Sequence, residues 1–281
     1  MSAELYAAAH ALSAVTDTAR LDAELLMAHA LGLERADMLM RQRDLSVPAS
    51  FAGYMQRRLQ QEPVAYITGY QHFWDLRLAV APGVLIPRQD SETLIEEAGR
   101  VFAGKRGPVN IIDLGTGSGA LMMAALSVFP DARGLALDAS AAALRIAEVN
   151  RQELGFADRL TLRQIDWCEP GWAQAALSGF DSGFDLILCN PPYVETAAAL
   201  SPMVRDFEPA SALFAGDDGM DDYKRLIPQI AGLMAGGGAA LFEIGYTQAE
   251  SVGALARDAG FDTEMKRDLA GQPRVLTLRR V

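Results

Sequence analysis

The feature that most constrains this chain is a glycine-rich loop between an apolar strand and an apolar helix. Residues 109–113 predict the strand, residues 115–119 the loop and residues 120–128 the helix. Glycines let a backbone turn tightly and approach a ligand closely. In open α/β sheets, ligands bind at the carboxyl ends of strands. The segment therefore predicts an α/β fold that binds a nucleoside-type cofactor at this loop.

The spacing of the glycines indicates which cofactor binds. Dinucleotide-binding loops carry Gly-x-Gly-x-x-Gly against a pyrophosphate, whereas this loop reads Gly-x-Gly-x-Gly after Asp113. A carboxylate at the strand end would repel a pyrophosphate and attract a sulfonium or an α-ammonium group. We therefore predict S-adenosyl-L-methionine as cofactor and S-adenosyl-L-homocysteine as product. The predicted loop contacts are Asp113, Gly115, Thr116, Gly117, Ser118 and Gly119.

Two further strand ends carry candidate cofactor contacts. Asp138 ends the predicted second strand, where a carboxylate accepts hydrogen bonds from the two ribose hydroxyls of a nucleoside. Taken alone, Asp138 followed by Ser140 is equally typical of a helix cap. Asp166 and Trp167 end the third strand and are candidates for the edge and the face of adenine. A tryptophan after a strand is as often a packing residue.

Strands and helices alternate after residue 91, which predicts a mostly parallel sheet covered by helices. Predicted strands cover residues 109–113, 134–138, 160–165, 184–189, 239–244, 263–267 and 275–278. Predicted helices cover residues 91–103, 120–128, 140–154, 221–235 and 248–259. The expected fold class is α/β, a mostly parallel seven-stranded sheet with helices on both faces.

Two smaller regions precede this sheet. Apolar residues recur at helical spacing up to about residue 61, which predicts a small helical domain. Residues 73–80 alternate as in a strand, Pro82-Gly83 marks a turn, and residues 84–86 are expected to return as the hairpin partner. We predict three regions: a helical substrate-recognition domain (1–72), a β-hairpin linker (73–90) and a cofactor-binding catalytic domain (91–281).

Composition disfavours several other classes of protein. Two cysteines and three histidines show no zinc spacing, so we expect no metal. No apolar run reaches the roughly 20 residues of a membrane-spanning helix, and the first residues lack the basic segment of a secretion signal, which predicts a cytoplasmic protein. The net charge of −11 disfavours nucleic acid as a partner, because phosphate binding needs a basic face. It suits a cationic cofactor or a basic protein.

The fourth predicted strand ends in Asn190-Pro191-Pro192-Tyr193, the candidate catalytic and substrate-binding motif. Two prolines remove two backbone donors and hold the chain extended. Asn190 offers a carbonyl acceptor, and Tyr193 offers a flat face and a hydroxyl. Such a site accepts hydrogen bonds from both hydrogens of an NH₂ group and aligns its nitrogen with a methyl donor. The motif therefore predicts methylation of a planar nitrogen, with Asn190 next to the cofactor; a rigid turn is the structural alternative.

Several segments together carry a family resemblance. Asp113 to Ala120 looks like motif I of class I methyltransferases, and Asn190 to Tyr193 like the motif of enzymes that methylate amide or amino nitrogens. More specific segments are Pro63-Val64-Ala65-Tyr66-Ile67-Thr68-Gly69, Leu85-Ile86-Pro87-Arg88-Gln89-Asp90-Ser91-Glu92, Phe207-Glu208-Pro209-Ala210, Ala215-Gly216-Asp217-Asp218-Gly219 and Asp268-Leu269-Ala270-Gly271. Over nearly its whole length the chain resembles the peptide chain release factor glutamine methyltransferases, the PrmC/HemK family.

The resemblance implies a specific activity and specific contacts. It implies N5-methylation of the glutamine in the Gly-Gly-Gln motif of bacterial class I release factors. It further implies that Asn190 and the Pro191 carbonyl hold the glutamine amide, and that the cofactor contacts residues 115–119, Asp138, Trp167 and Asn190. Gln89 departs from the family, which usually has proline there; this puts the rigidity of residues 87–92 in question.

Two alternative functions use the same motifs. An adenine-N6 methyltransferase acting on DNA or RNA would stack a flipped base on Tyr193. The acidic net charge and the lack of a basic, aromatic-rich recognition domain argue against it. A non-catalytic cofactor-binding module would not need both the cofactor loop and the nitrogen-holding motif.

Overall fold

A computed structural model describes all 281 residues, and the chain divides into two compact units. The first, here called the helical unit, comprises Met1–Tyr70, Val80–Pro82 and Leu200–Glu208. The second, here called the sheet unit, comprises Gln71–Ala79, Gly83–Ala199 and Pro209–Val281. The sequence places a boundary near residue 72 and assigns residues 200–208 to the catalytic domain. The helical unit is instead built from three separate stretches of chain.

Helices account for most of the helical unit, as the sequence predicts. They are α1 (Ser2–Leu12), α2 (Ala19–Leu31), α3 (Arg35–Met40), α4 (Ser50–Leu59), α5 (Val64–Thr68) and, far along the chain, α10 (Pro202–Phe207). Helix α2 ends at Gly32, whose φ of 66° is left-handed and lets the chain turn out of the helix. Helices α3, α5 and α10 are too short for their periodicity to be recognised in the sequence.

The core of the helical unit combines apolar side chains with one buried ion pair. Leu5, Leu26 and Met27 have no exposed surface. The guanidinium of Arg58 on α4 donates to the carboxylate of Asp22 on α2 at 2.8 Å. Both side chains are buried, and a buried charge is tolerated only when it is paired. The pair therefore ties α2 to α4 in one relative orientation.

The predicted hairpin exists but lies earlier in the chain. Its strands are β1 (Tyr70–Phe73) and β2 (Leu76–Ala79), so the turn falls at Trp74 rather than at Pro82-Gly83. Trp74 adopts a left-handed φ of 57°, which is uncommon for a large side chain. Residues 84–86, expected to form the partner strand, are not in a strand. The hairpin prediction was therefore right in kind and wrong in its strands.

A seven-stranded sheet forms the centre of the sheet unit. Its strands are β3 (Asn110–Leu114), β4 (Arg133–Asp138), β5 (Leu160–Gln164), β6 (Phe184–Cys189), β7 (Met234–Glu243), β8 (Phe261–Arg267) and β9 (Pro273–Arg280). The order is β5-β4-β3-β6-β7-β9-β8; β3 to β7 are parallel, and β9 is antiparallel to both neighbours. Every residue of β3 is buried, because helices cover both faces of a parallel sheet. The predicted fold class is confirmed.

Helices cover the two faces of this sheet with separate apolar cores. They are α6 (Glu92–Val101), α7 (Ala120–Val128), α8 (Ala141–Glu153), α9 (Trp172–Leu177), α11 (Asp221–Leu233) and α12 (Ala249–Asp258). Helices α6 and α7 contribute to one core, and α9, α11 and α12 to the other. The hydroxyl of Ser140 caps α8 by accepting from the amide of Ala143, as expected. None of the helices has the length and apolar character needed to cross a bilayer.

Candidate active site

The glycine loop connects β3 to α7 through three left-handed residues. Gly115, Gly117 and Gly119 have φ values of 75°, 57° and 85°, which other residues adopt only with strain. The amides of Gly115 and Thr116 donate to the Leu137 carbonyl at the end of β4, at 3.0 and 2.8 Å. A Cβ on Gly115 would lie 2.9 Å from the indole ring of Trp167. The loop therefore needs glycine both for its conformation and for its close contacts.

Asp113 belongs to β3 and is buried against the loop rather than on the cavity surface. It is fully buried; its Oδ2 accepts from the Thr116 hydroxyl at 2.6 Å, and its Oδ1 has no hydrogen-bond partner. Burial raises the pKa of Asp113 to about 7, the nearby charge of Asp138 acts in the same direction, and the Thr116 hydrogen bond opposes both. A positive charge bound near the loop would favour the ionised carboxylate. A cofactor contact by Asp113 stays a prediction.

Asp138 lies at the carboxyl end of β4 and lines the cavity beside the loop. Its Oδ2 accepts from the Gly117 amide and its Oδ1 from the Ser140 amide, both at 2.8 Å. Burial raises the pKa of this carboxyl, and the two backbone hydrogen bonds oppose the rise. The carboxylate thus fixes the turn that leads into α8 and also lines the cavity. Its role in holding a ribose stays a prediction.

Trp167 also lines the cavity, whereas Asp166 does not. The indole Nε1 of Trp167 donates to Asp222 at 2.9 Å, which fixes the ring next to Gly115. Asp166 instead accepts from the amide of Cys168 at 2.7 Å and so closes the turn after β5. The structure brings the predicted ring to the site but leaves the predicted carboxylate in a local turn.

The Asn190-Pro191-Pro192-Tyr193 motif directly follows β6. Asn190 and Pro192 line the cavity, while Pro191 and Tyr193 do not. The side-chain Nδ2 of Asn190 donates to the Ser91 hydroxyl at 3.2 Å. The Tyr193 hydroxyl donates to Oε1 of Glu243 at 3.3 Å, and burial raises the pKa of that hydroxyl. Tyr193 is therefore held from behind by the sheet, and the ligand-facing group of the motif is Asn190.

The chain after the motif is anchored on both sides. The amide of Val194 donates to the Leu213 carbonyl at 2.8 Å, and the side chain of Gln248 donates to the Tyr193 carbonyl at 3.1 Å. These contacts fix the direction of the extended segment that leaves β6. The Pro191 carbonyl accepts no hydrogen bond from the chain. Its role as the second acceptor of a substrate amide stays a prediction.

The cavity has a volume of about 360 Å³, within the range of small-molecule sites. Its walls include residues that the sequence argument gave no role: Val84, Leu85, Pro87, Arg88, Ser91 and Ser211. Five of these six belong to the stretch after the hairpin. Leu85, Pro87, Arg88 and Ser91 lie in the family-like segment at residues 85–92. That resemblance did not indicate that they line the cavity. Their meeting with the loop is a product of the tertiary fold.

The residues at this cavity fit S-adenosyl-L-methionine. Gly115 and Gly117 form a wall that lacks Cβ atoms, Asp138 offers carboxylate oxygens for a ribose, and Trp167 offers an aromatic face. The carboxyls of buried Asp113 and half-buried Asp138 have pKa values raised by desolvation, and a bound cation would favour their ionised forms. Asn190 lies on the same cavity.

Comparisons with known proteins agree with this site. Residues 5–69 match the family model of the PrmC N-terminal domain, and residues 106–219 match that of a methyltransferase domain. Fold and site define a class I methyltransferase that uses S-adenosyl-L-methionine. The chain is 39% identical to the release factor glutamine methyltransferase of Bradyrhizobium diazoefficiens, over 100% of this chain and 94% of the relative. It is 40% identical to the release factor glutamine methyltransferase of Bordetella pertussis, over 91% of this chain and 93% of the relative. The chain belongs to the release factor glutamine methyltransferase family.

Proposed function

We propose that the protein methylates the side-chain amide nitrogen, N5, of the glutamine in the Gly-Gly-Gln motif of bacterial class I peptide chain release factors. Two relatives that match this chain over nearly their whole length are named release factor glutamine methyltransferases. The observation that carries the proposal is the position of Asn190. It lies on the cavity wall, and the Nδ2 end of its amide is already bound to Ser91.

The chemical difficulty is that an amide nitrogen is a poor nucleophile, because its lone pair is delocalised. Bound S-adenosyl-L-methionine supplies a methyl group on a positively charged sulfur, which is a strong electrophile. Oδ1 of Asn190 accepts one hydrogen of the substrate NH₂, and the Pro191 carbonyl accepts the other. This pair of hydrogen bonds favours a pyramidal nitrogen whose lone pair points along the line of transfer.

The remaining residues orient and shield the reaction. Asp138 would hold the ribose, and residues 115–118 would support the amino-acid part of the cofactor. Methyl transfer would join the methyl group to the amide nitrogen and leave a neutral sulfur, and the nitrogen would then lose one proton to solvent. Because the proton leaves after the transfer, the site needs no general base. The proline pair keeps the acceptor carbonyl fixed, so little ordering remains to be done when the substrate arrives.

The experiment is methyl transfer from labelled cofactor to a purified release factor. The parent protein should label the release factor, and replacing the Gly-Gly-Gln glutamine by alanine should abolish labelling. Asn190→Ala should lower the single-turnover rate by about a hundredfold or more, because it removes one positioned acceptor. Its cofactor affinity should stay within roughly tenfold of the parent.

A matched control is Thr196→Ala, an exposed residue in the segment that follows the motif. It should transfer methyl groups at the parent rate. Labelling of DNA instead of the release factor would support an adenine methyltransferase. A parent rate for Asn190→Ala would reduce Asn190-Pro191-Pro192-Tyr193 to a structural turn.

We further propose that the helical unit recognises the release factor and that the protein works in the cytoplasm. Every predicted cofactor contact belongs to the sheet unit, so cofactor binding does not explain what the helical unit does. Large exposed apolar side chains on this unit, Tyr6 and Met40, support a protein-binding surface. Release factors act on the ribosome, which is the basis for the proposed compartment.

A further inference from the structure

The side chain of Asn190 has two ends of nearly equal size and opposite hydrogen-bonding character. Oδ1 accepts hydrogen bonds, and Nδ2 donates them. The substrate of the proposed function is an NH₂ group, which offers hydrogens, so Oδ1 has to face the cavity. The inference that follows rests on that proposed function. A half-buried amide can turn over about its last bond, so the protein needs a device that keeps the correct end outward.

The inner end of the Asn190 amide binds Ser91. Nδ2 donates to the Ser91 Oγ at 3.2 Å, and Ser91 is only 3% exposed. It ends the short 3₁₀ turn Gln89–Ser91 that precedes α6. In this arrangement the Ser91 oxygen is an acceptor. The single proton of its hydroxyl must then be donated elsewhere, because a buried donor without a partner is unfavourable.

The candidate acceptor for that proton is Glu243, the last residue of β7. It is 1% exposed, and its Oε1 accepts from the Tyr193 hydroxyl at 3.3 Å. Its Oε2 keeps an open acceptor position. Ser91 opposes the rise in the pKa of this carboxyl, which is the effect of a hydrogen-bond donor. Since an ionised carboxylate can only accept, a hydrogen bond from Ser91 to Glu243 would continue the one from Asn190 to Ser91 in the same direction.

We propose that Ser91 and Glu243 are positioning residues that hold the Asn190 amide with its carbonyl oxygen towards the cavity. Ionised Glu243 accepts the Ser91 proton, Ser91 accepts from Nδ2, and Oδ1 is left for the substrate. When Glu243 is protonated it donates to Ser91, and Ser91 donates to Oδ1. The NH₂ end of Asn190 then faces the cavity and opposes the hydrogens of the substrate.

The protonation state of Glu243 changes in the neutral range. Burial raises the pKa of Glu243 to about 7; Ser91, Arg274 and Tyr193 oppose the rise, and Asp90 adds to it. The titratable and charged groups that act on this carboxyl or respond to its charge are Asp90, Cys189, Tyr193, Tyr223 and Arg274. Cys189, Tyr193 and Tyr223 have raised pKa values and stay neutral near pH 7. Methyl transfer should therefore become faster as pH rises through about 7.

The first test is a double-mutant cycle on single-turnover methyl transfer to a release factor. Ser91→Ala should slow transfer roughly ten- to a hundredfold, with cofactor affinity within about threefold of the parent. If Ser91 acts through Asn190, the same change in an Asn190→Ala background should alter the rate by less than about twofold. Equal losses in both backgrounds would assign Ser91 a purely structural role and overturn the proposal.

The second test uses Glu243→Gln, which keeps the shape of the side chain and loses its titration. In the parent, the rate should rise between pH 6 and 8; in Glu243→Gln it should be lower and should lack this rise. A pH profile that is unchanged in Glu243→Gln would sink the proposal even if Ser91→Ala fails to fold.

A readout without substrate separates this inference from the proposed function. The Nδ2 protons of Asn190, identified by their loss in Asn190→Ala, should shift in NMR spectra with a midpoint near pH 7. The shift should vanish in Glu243→Gln. If the parent does not methylate a release factor but the shift is present, the proposed substrate is wrong, and the positioning of Asn190 by Ser91 and Glu243 is supported. If the release factor is methylated but the Nδ2 protons do not shift with pH, only the proposed roles of Ser91 and Glu243 are wrong.

Discussion

At the scale of single residues, Gly115 shows how one missing side chain shapes the cofactor site. Its left-handed φ and its distance from Trp167 are separate requirements, and each excludes a Cβ. The indole cannot retreat easily, because its Nε1 is bound to Asp222. A substitution here therefore moves either the loop or the ring, and both line the cavity.

We predict that Gly115→Ala weakens cofactor binding at least tenfold, because the new methyl group displaces Trp167 from the cavity wall. Gly155→Ala is the matched control: its φ is 76°, and nothing lies within 4 Å of the added Cβ. Both variants should lose about 1 to 2 kcal/mol of stability through backbone strain. Calorimetric titration with S-adenosyl-L-methionine should separate them, and equal affinities would show that the close contact has no role in binding.

At the scale of elements, Asn150 connects three parts of the sheet unit. From α8 it accepts from the amide of Ala79 at 2.6 Å and donates to the carbonyls of Ala79 and Ser118 at 3.0 and 2.9 Å. The buried Asn150 side chain thus pairs with the backbone of Ala79, the last residue of β2, as a neighbouring strand would. It also holds the glycine loop through Ser118. The position of the loop depends on α8 as much as on β3.

Asn150→Ala should destabilise the protein by about 1 to 3 kcal/mol, because it leaves buried backbone groups without partners. It should also weaken cofactor binding, since the Ser118 carbonyl is released. Asn110→Ala serves as control: Asn110 is equally buried and donates to Ser182 and Gly183 at the opposite end of β3. Urea unfolding should give similar losses for the two variants, but only Asn150→Ala should bind cofactor less tightly. Parallel effects on affinity would contradict the proposed link.

Regular elements could be predicted where local pattern decides the structure. Strand β6 and helix α7 occur at the predicted residues, because a short apolar run and an apolar helix that follows a glycine-rich loop leave few alternatives. The hairpin was misplaced because its turn uses Trp74, a residue type that rarely adopts a left-handed φ. Proline and glycine at positions 82 and 83 are stronger turn signals in sequence. Tertiary packing overrode them.

In the candidate site, too, some residues could be predicted from local pattern and others depend on tertiary packing. Strand-end residues such as Asp138 and Asn190 were found because a parallel sheet brings its carboxyl ends to one edge. Ser91 and Glu243 carry no local signal: a serine before a helix is typical of a cap, and a glutamate at a strand end is usually exposed. Only the fold reveals that both are buried behind Asn190. Sequence reasoning therefore reached the ligand-facing residues and missed the residues behind them.

At the scale of the whole molecule, two buried carboxyls should dominate the pH dependence of stability near neutrality. Asp113 and Glu243 have pKa values raised to about 7 by burial. The folded state therefore holds protons that the unfolded state has released between about pH 4 and 7, so stability falls as pH rises through that window. Carboxyls with lowered pKa, such as Asp268, lose their contribution only below about pH 4.

We predict that the free energy of unfolding falls by about 2 to 4 kcal/mol between pH 5.5 and 7.5. Glu243→Gln should remove a substantial part of this slope and leave the part due to Asp113. Urea denaturation at several pH values in the absence of cofactor would measure it. Stability that is constant or rises over this range would mean that these carboxyls are ionised throughout.

The helical unit should govern recognition of the protein substrate. Replacing both Tyr6 and Met40 by alanine should raise KM for a release factor roughly fivefold or more, because both side chains are exposed and apolar. Cofactor affinity and folding should not change. Leu269→Ala, an exposed apolar residue of the sheet unit, is the control and should leave KM unaltered. An unchanged KM in the double variant would place recognition elsewhere.

The discontinuity of the helical unit has an evolutionary consequence. Residues 200–208 belong to it although they follow the Asn190-Pro191-Pro192-Tyr193 motif by only a few positions. A single recombination event near residue 72 would exchange the amino-terminal helices but not residues 200–208. The helical unit would then combine segments from two different parent proteins. Specificity cannot then be transplanted between homologues by one crossover. Chimaeras that also exchange residues 200–208 should be the ones that survive selection, and inheritance of the two stretches should be linked.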